Sequence, residues 1–260
     1  MSDSEGAVNG ILANFPPRDI GAAMGLLSRL PVPGFLMPMG TEFRNGAWAY
    51  PVIGALIGIL SGIMLSVLLW GGVAVAVAVA LALGFQLLLT GAIHEDGLAD
   101  TADGLGGGRS REHSLEIMRD SHIGTYGIAA LTISLVARWA ALVALSQHPI
   151  AAMCVVGTVS RLPMVLVMTG MRHARNDGLS AQVGRARMQD CLAATLFAAV
   201  IATIFTGAWF PVAMIAAVLA VVPVLFWASR CLNGQTGDIL GACQQCAELA
   251  VLALLTIIWL

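Results

Sequence analysis

Long apolar runs, separated by a few short polar stretches, make up most of the chain. Runs near the ~20 residues needed to cross a bilayer as helix recur at 47–70, 73–93, 127–146, 149–171, 190–207, 209–228 and 238–260. They predict an all-α integral membrane protein, a polytopic bundle of about seven transmembrane helices. The run 209–228 contains Pro211 and Pro223, and the last run must include Gln244, Gln245 and Glu248 to be long enough. Residues 18–38 behave differently. Leu26, Leu27 and Leu30 follow a polar start and stop at Pro31-Val32-Pro33, which is too short to span, so an interfacial helix is expected. The predicted organisation is an N-terminal segment over 1–46 that carries this helix, followed by a polytopic catalytic domain over 47–260.

Composition supports the membrane reading. The chain is 58% hydrophobic and 11% charged, with a mean hydropathy of +0.86, where a soluble domain carries about 25% charged residues. All 13 basic residues are arginine. Arg18, Arg29 and Arg44, then Arg109, Arg111 and Arg119, then Arg172, Arg175, Arg185 and Arg187, and finally Arg230, fall in the N-terminal segment and in alternate loops, all on one side of the predicted spans. The intervening turns at Trp70-Gly71-Gly72, Gln147-His148-Pro149 and Gly207 carry none. The positive-inside rule then places the N-terminus and the polar motifs in the cytoplasm. The start of the chain, with Asp3, Glu5 and Pro16-Pro17, lacks a basic region before an apolar one, so no signal peptide is expected. Cys243 and Cys246 have C-x-x-C spacing without a second pair or a His cluster, and are read as packing residues. No nucleic-acid partner is expected, and a homo-oligomer is compatible with the sequence.

Candidate chemistry gathers between the second and third runs, where residues 91–127 hold four Asp, three Arg and three His. Asp96, Asp100 and Asp103 stand at i, i+4 and i+7, so on a helix their carboxylates share one face. Carboxylates this close repel, and burying them costs several kcal/mol each unless a cation neutralises them. Hard oxygen donors suit Mg2+ or Mn2+, which makes Asp96, Asp100, Asp103 and Asp120 the candidate metal ligands. Asp120, His94 and Asp103 are the candidate catalytic residues, with Asp120 read as a further ligand or the general base. Gly97 and Gly104 are expected to leave room for a bulky ligand beside the acids. Gly106-Gly107-Gly108 predicts an irregular loop whose amides, with Arg109, Arg111 and Arg119, could receive phosphate oxygens. Acids for metal and arginines for phosphate point to phosphoryl-type transfer. The plain alternative is a solvated acidic loop.

Two further clusters stand out. Arg138 and Arg161 fall near the middle of predicted spans, where an arginine is by default functional or paired. Ser160-Arg161-Leu162-Pro163 predicts a helix break opening toward a polar cavity, with Arg161 as a candidate substrate contact and Arg138 as a pairing or snorkelling residue. Asn233-Gly234-Gln235-Thr236-Gly237-Asp238 predicts a helix start with Thr236 or Asp238 as cap, and both are candidate substrate-binding residues. Glu248, two to three turns further on, is costly unless it points into the site.

The chain resembles the membrane-bound cobalamin synthase family, the adenosylcobinamide-GDP ribazoletransferases. The likeness begins at Ser28-Arg29-Leu30-Pro31-Val32-Pro33 and is strongest at His94-x-Asp96-Gly97-Leu98-Ala99-Asp100-Thr101-x-Asp103-Gly104, followed by Arg109-x-Arg111. It continues through Leu115–Ser121, Gly124-x-x-Gly127, Ser160-Arg161, Gly178-Leu179 and Gly234-Gln235-Thr236-Gly237-Asp238-x-x-Gly241-Ala242 to Glu248. Three positions depart from the family pattern. Glu95 stands where the family often has an apolar residue, Gln245 near a usual carboxylate, and Asn233 where glycine is common. The resemblance implies a Mg2+-dependent transferase in the bacterial inner membrane. There α-ribazole or its 5′-phosphate displaces GMP from adenosylcobinamide-GDP, forming adenosylcobalamin or its 5′-phosphate. A looser likeness to CDP-alcohol phosphotransferases rests on Asp100-x-x-Asp103-Gly104, and a polytopic transporter is the third reading.

Overall fold

The structure, a computed structural model, describes residues 15–37 and 46–260. Part of the predicted N-terminal segment, including Asp3, Glu5 and Arg44, lies outside the described residues. The interfacial-helix prediction falls on α1 (Arg18–Leu27), which packs on the bundle. Its Asp19 is 3% exposed and accepts a hydrogen bond from Trp48 Nε1 at 3.0 Å.

The bundle proper begins with α2 (Tyr50–Trp70) and α3 (Val75–Thr90). Next comes α4 (Ile93–Gly107), which carries the acidic stripe, and the short α5 (Arg111–Ile117). α6 (Thr125–Ala144) returns across the bundle. α7 (Pro149–Val159) and α8 (Leu162–Gly170) are separated at Ser160-Arg161, as the Pro163 signal predicts. After the short α9 (Leu179–Val183) come α10 (Met188–Thr206), α11 (Phe210–Cys231) and α12 (Gly237–Trp259).

Five helical stretches are long and apolar enough to cross a bilayer, or six if α3 and α4 form one broken span. That count takes Met188–Cys231 as one stretch of 44 residues, although Gly207, with φ +56°, divides it into α10 and α11. At 1.5 Å per residue each half is about 30 Å long, and the two pack on different neighbours, α10 on α7 and α8 and α11 on α12. The protein is therefore an all-α polytopic membrane protein, as the hydropathy pattern predicts. The second run differs from expectation. It stops at Thr90, and Gly91 (φ +64°) and Ala92 (φ +55°) turn the chain by 88° into α4. Two consecutive left-handed residues end a helix sharply because they cannot continue its hydrogen-bond ladder. The elbow sends the acidic helix across the end of the bundle instead of along it.

Lipid supplies no hydrophobic drive between helices, so small residues and close backbone packing must hold the bundle. The closest pair is α2 against α7. A Cβ on Gly54 would collide with the Gly157 carbonyl, one on Gly157 with the Gly54 carbonyl, and one on Gly58 with the Met153 carbonyl. Gly157→Val is therefore expected to lower stability by at least about 1–3 kcal/mol, read as a lower unfolding temperature of the detergent-purified protein. An unchanged midpoint would show that the crossing can open.

Candidate active site

Below the acidic stripe lies a layer of buried polar groups. Arg138 of α6 is 0% exposed. Its Nη1 donates to Glu95 Oε1 of α4 at 2.6 Å and to Gln245 Oε1 of α12 at 3.3 Å, and its Nε lies 2.9 Å from Glu248 Oε1. Gln245 Nε2 donates back to Glu95 Oε1 at 3.1 Å, and Ser134 Oγ donates to Gln245 Oε1 at 3.0 Å. Gln244 Nε2 joins Glu248 Oε2 at 2.6 Å to Ser160 Oγ at 3.0 Å, at the break between α7 and α8. Arg161, 1% exposed, donates from Nη1 to the Gly157 carbonyl at 2.8 Å. Two arginines and two glutamates thus sum to zero charge, which is what an intramembrane cluster requires. Arg138 is the pairing residue that was one of its two sequence readings, and Glu248 faces it rather than the stripe. Arg161, a candidate substrate contact from sequence, sits within this layer.

The stripe itself is helical, as its spacing predicts. Asp96 is exposed, Asp100 half-buried and Asp103 buried. Asp96, Asp238 and Asp103, in falling order, are the carboxylates that repel Asp100, and Arg175 is the cation that opposes them. Arg175 Nη2 lies 3.5 Å from Asp238 Oδ2. A glycine crossing brings these groups together. A Cβ on Gly97 would sit 2.9 Å from the Asp238 carbonyl oxygen and 3.2 Å from Gly241 Cα, so α4 and the start of α12 touch backbone to backbone. The space expected beside Gly97 for a ligand is filled by α12. The space beside Gly104 is filled by Met118, where a Cβ would come within 3.0 Å of its sulfur. Both glycines serve helix packing, because the tightest spots on a helix surface are the ones a neighbouring element can occupy.

Asp103 has a further task. Its Oδ2 accepts from Gly124 N at 2.7 Å and its Oδ1 from Gly127 N at 2.9 Å, capping the start of α6. A Cβ on Gly124 or Gly127 would strike that carboxylate, which accounts for the Gly-x-x-Gly spacing. A carboxylate on free helix amides is favoured by hydrogen bonds and by the helix dipole together. Asp120 lies apart from the stripe. It is an exposed residue whose Oδ1 takes the His122 amide at 3.1 Å and His122 Nδ1 at 2.6 Å. The His122 side chain holds the Asp120 carboxyl below its ordinary range, and Asp120 in turn raises His122. His94 is 3% exposed in the first turn of α4, and its Nε2 has no hydrogen-bond partner among the described residues.

Three polar loops close over this end of the bundle. Arg111 donates from Nε to the Leu232 carbonyl at 3.0 Å and from Nη2 to the Ala174 carbonyl. Arg119 Nη2 pairs with Asp177 Oδ2 at 2.6 Å. The chain after α8 bonds to the α11–α12 loop through Ala174 N to the Gln235 carbonyl and Gln235 N to the Arg172 carbonyl, both 2.8 Å. Arg111 and Arg119 thus join loop to loop, while Arg109 is exposed. Thr236, 1% exposed, caps α12 by accepting from Ile239 N at 3.3 Å, and its hydroxyl also donates to Asp238 Oδ2 at 3.1 Å. Asn233 has φ +55°, a conformation that asparagine tolerates better than most side chains and glycine best of all. Arg175 carried no spacing signal in the sequence. Only the folded loop brings it to the acids.

Among the described residues no three His, Cys, Asp or Glu side chains converge tightly enough to hold a metal unaided. What the fold defines is a polytopic helical membrane protein with an acidic, arginine-rimmed site at one end. The match to the cobalamin-5-phosphate synthase family model spans residues 19–256, and the chain belongs to that family. It is 43% identical over 249 residues to an adenosylcobinamide-GDP ribazoletransferase of Rhizobium etli, covering 91% of this chain and 95% of the relative. It is 39% identical over 237 residues to the Bradyrhizobium diazoefficiens protein of that name, covering 90% and 91%. The Azorhizobium caulinodans protein of that name is 41% identical over 249 residues, covering 90% and 93%. No solved structure matches the chain.

Two of the departures from the family pattern meet at one atom. Glu95 and Gln245 both bond Arg138 Nη1, the one with a carboxylate and the other with an amide oxygen. Glu95→Leu alone is expected to destabilise the protein by about 3–5 kcal/mol, the cost of breaking a buried pair. Adding Gln245→Glu is expected to restore most of that loss in thermal unfolding. Failure of the double variant to recover would mean that the two positions do not share one charge.

Proposed function

We propose that the chain is an adenosylcobinamide-GDP ribazoletransferase acting in cobalamin synthesis. Family membership over nearly the whole chain carries this reading, and the acidic site beside Arg175 is compatible with it. The acceptor hydroxyl of α-ribazole, or of its 5′-phosphate, forms a bond to the phosphorus attached to cobinamide. The bond from that phosphorus to the GMP oxygen breaks, and the hydroxyl proton passes to a base. His94 is the proposed proton acceptor, since Asp120, a candidate base from sequence, is engaged by His122. Arg175 and the exposed Arg109 face the diphosphate, and Arg161, Thr236 and Asp238 support the substrate side. Arg111 and Arg119 hold the rim by tying its loops together. Asp103 keeps the start of α6 against the stripe.

Mg2+ fits the donor set. Asp96, Asp100 and Asp238 offer hard carboxylate oxygens that repel one another, and Mg2+ commonly binds one or two carboxylates plus substrate phosphate oxygens, keeping several waters. Asp96 and Asp100 would hold it, with Asp238 beside them. Asp103 would contribute only the lone pairs its two amide bonds leave free. Bound there, the ion would offset charge on the diphosphate and the leaving GMP. The proposed setting is the bacterial inner membrane, with the N-terminus and this site in the cytoplasm. The lipid transferase and transporter readings find no support in the comparisons.

The deciding experiment supplies the detergent-purified protein with adenosylcobinamide-GDP and α-ribazole 5′-phosphate and follows GMP together with the cobalamin product. Both are expected with Mg2+ and neither after chelation. Asp100→Ala is expected to reduce turnover by at least about a hundredfold, as losing a group that stabilises transition-state charge does, with the protein still inserted and folded. GMP release that survives chelation would remove the metal, and an active Asp100→Ala variant would remove the stripe.

A further inference from the structure

The segment Ser28-Arg29-Leu30-Pro31, where the family likeness begins, has no part in the mechanism above. It joins α1 to the elbow between α3 and α4. The Arg29 amide donates to the Leu89 carbonyl at 2.7 Å. Ser28 Oγ donates to the Met24 carbonyl at 2.7 Å and accepts from Leu30 N at 3.3 Å, so the backbone is held on both sides of the arginine. The guanidinium rests against the elbow, where a Cβ on Gly91 would strike it. It is exposed and, among the described residues, has neither a hydrogen-bond nor an ion-pair partner. Other arginines at this end are engaged. Arg172 donates to the Asn233 carbonyl at 2.8 Å and Arg185 to the Thr169 carbonyl at 2.7 Å, while Arg111, Arg119 and Arg175 have the partners given above.

Arg29 stands in the wall of a cleft of about 1160 Å3, counting its open mouth. Ala22 and Leu26 of α1, Val32, Ile93 at the start of α4 and Leu179 of α9 give that wall its apolar surface. The Thr90 hydroxyl in the wall is engaged, donating to the Gln86 carbonyl at 3.1 Å, as the Ser28 hydroxyl is to Met24. Arg29 is therefore the group of this wall with donors to offer. Ile93, Asp96 and Asp100 stand at i, i+3 and i+7 and share one face of α4. From Ile93 the cleft thus leads to the first acid within about 4.5 Å along the helix axis. Leu179 also borders the small pocket that holds Arg175, so free space meets the stripe from the Arg29 side and from the Arg175 side.

We infer that this cleft receives the corrinoid end of the donor and that Arg29 binds the phosphate attached to it. The inference rests on the transferase reading above and places the donor within it. A guanidinium bonded to a phosphate oxygen is a strong, charge-assisted contact, and Arg29 need break no ion pair to make one. Size selects the corrinoid end. Pockets for drug-sized ligands span about 300–1,000 Å3, and a corrin macrocycle is larger than such ligands. The neighbouring spaces, of about 420 Å3 and 170 Å3, are too small for it. Ring methyls would meet Ala22, Leu26 and Val32, and the amide arms would stay in water at the mouth. The diphosphate then lies along Asp96 and Asp100 between Arg29 and Arg175. A phospholipid would also offer Arg29 a phosphate, but its acyl chain would have to share a cleft that runs to a row of carboxylates.

The test uses the full chain in lipid nanodiscs. In Arg29→Gln the KM for adenosylcobinamide-GDP is expected to rise roughly tenfold or more, as losing a hydrogen bond to a charged group does, with the KM for α-ribazole 5′-phosphate within about twofold of the parent. Arg29→Lys keeps the charge without the fork and is expected to fall between parent and Arg29→Gln. Ala22→Trp fills the cleft from the partly exposed face of α1 and is expected to raise the same donor KM. GDP carries the diphosphate without the macrocycle, so its inhibition should weaken in Arg29→Gln and stay unchanged in Ala22→Trp. If Arg29→Gln does not fold, Arg29→Lys and Ala22→Trp decide. An unchanged donor KM in either the Arg29 or the Ala22 variant would overturn the inference, as would an equal rise in both KM values. Stabilisation by phosphatidylglycerol vesicles that is lost in Arg29→Gln while donor kinetics stay unaltered would assign Arg29 to a lipid headgroup and overturn it too. Absence of GMP release from the parent protein would sink the transferase reading itself. Release with insensitive donor kinetics would sink only the placement of the donor.

Discussion

A fully buried guanidinium governs this structure. Arg138 cannot stay charged within an apolar bundle unless carboxylates surround it. Its partners come from two other helices, Glu95 from α4 and Glu248 from α12, and Gln245 of α12 accepts a further bond. A buried ion pair contributes little net stability against an apolar replacement, but a broken one is expensive. The consequence here is geometric. Three helices can approach in only one register, the one that closes this shell. Glu95 precedes Asp96 by one residue, so the register that neutralises Arg138 also sets where the acidic stripe points.

Glycine contacts complete that arrangement from the other side. Gly97 against Gly241 lets α4 and α12 touch, and this contact places Asp238 among the carboxylates that act on Asp100. The repulsion of those acids is offset within the protein by Arg175 alone among the charges acting on Asp100. Negative charge concentrated beside Arg175 suits the proposed polyphosphate substrate that brings its own cation. The site is not a cluster of opposite charges in balance, as the layer around Arg138 is.

The loops at this end of the bundle act as one unit. Arg111 bridges the Ala174 and Leu232 carbonyls, and Arg119 pairs with Asp177. The α8–α9 and α11–α12 connections share two backbone hydrogen bonds. These links bring Arg175 beside Asp238. Arginines that by type alone suggested phosphate contacts are in two cases the joints that hold the rim together.

The sequence by itself determined the membrane class, the helical stripe of Asp96, Asp100 and Asp103, the break at Ser160-Arg161 and the cap at Thr236. Each of these follows from local chemistry: apolar length, a 3.6-residue period, a proline, a hydroxyl at a helix start. The family resemblance was likewise carried by residues close together along the chain. Tertiary structure decided what no spacing encodes. Asp103 caps a helix that begins more than twenty residues later, Gln245 hydrogen-bonds Glu95 across 150 positions, Asp120 stands apart with His122, and Gly97 and Gly104 receive neighbouring elements rather than ligand. A side chain's partner is set by which backbones come within a few ångströms, and in this bundle glycine contacts and one buried arginine choose those approaches.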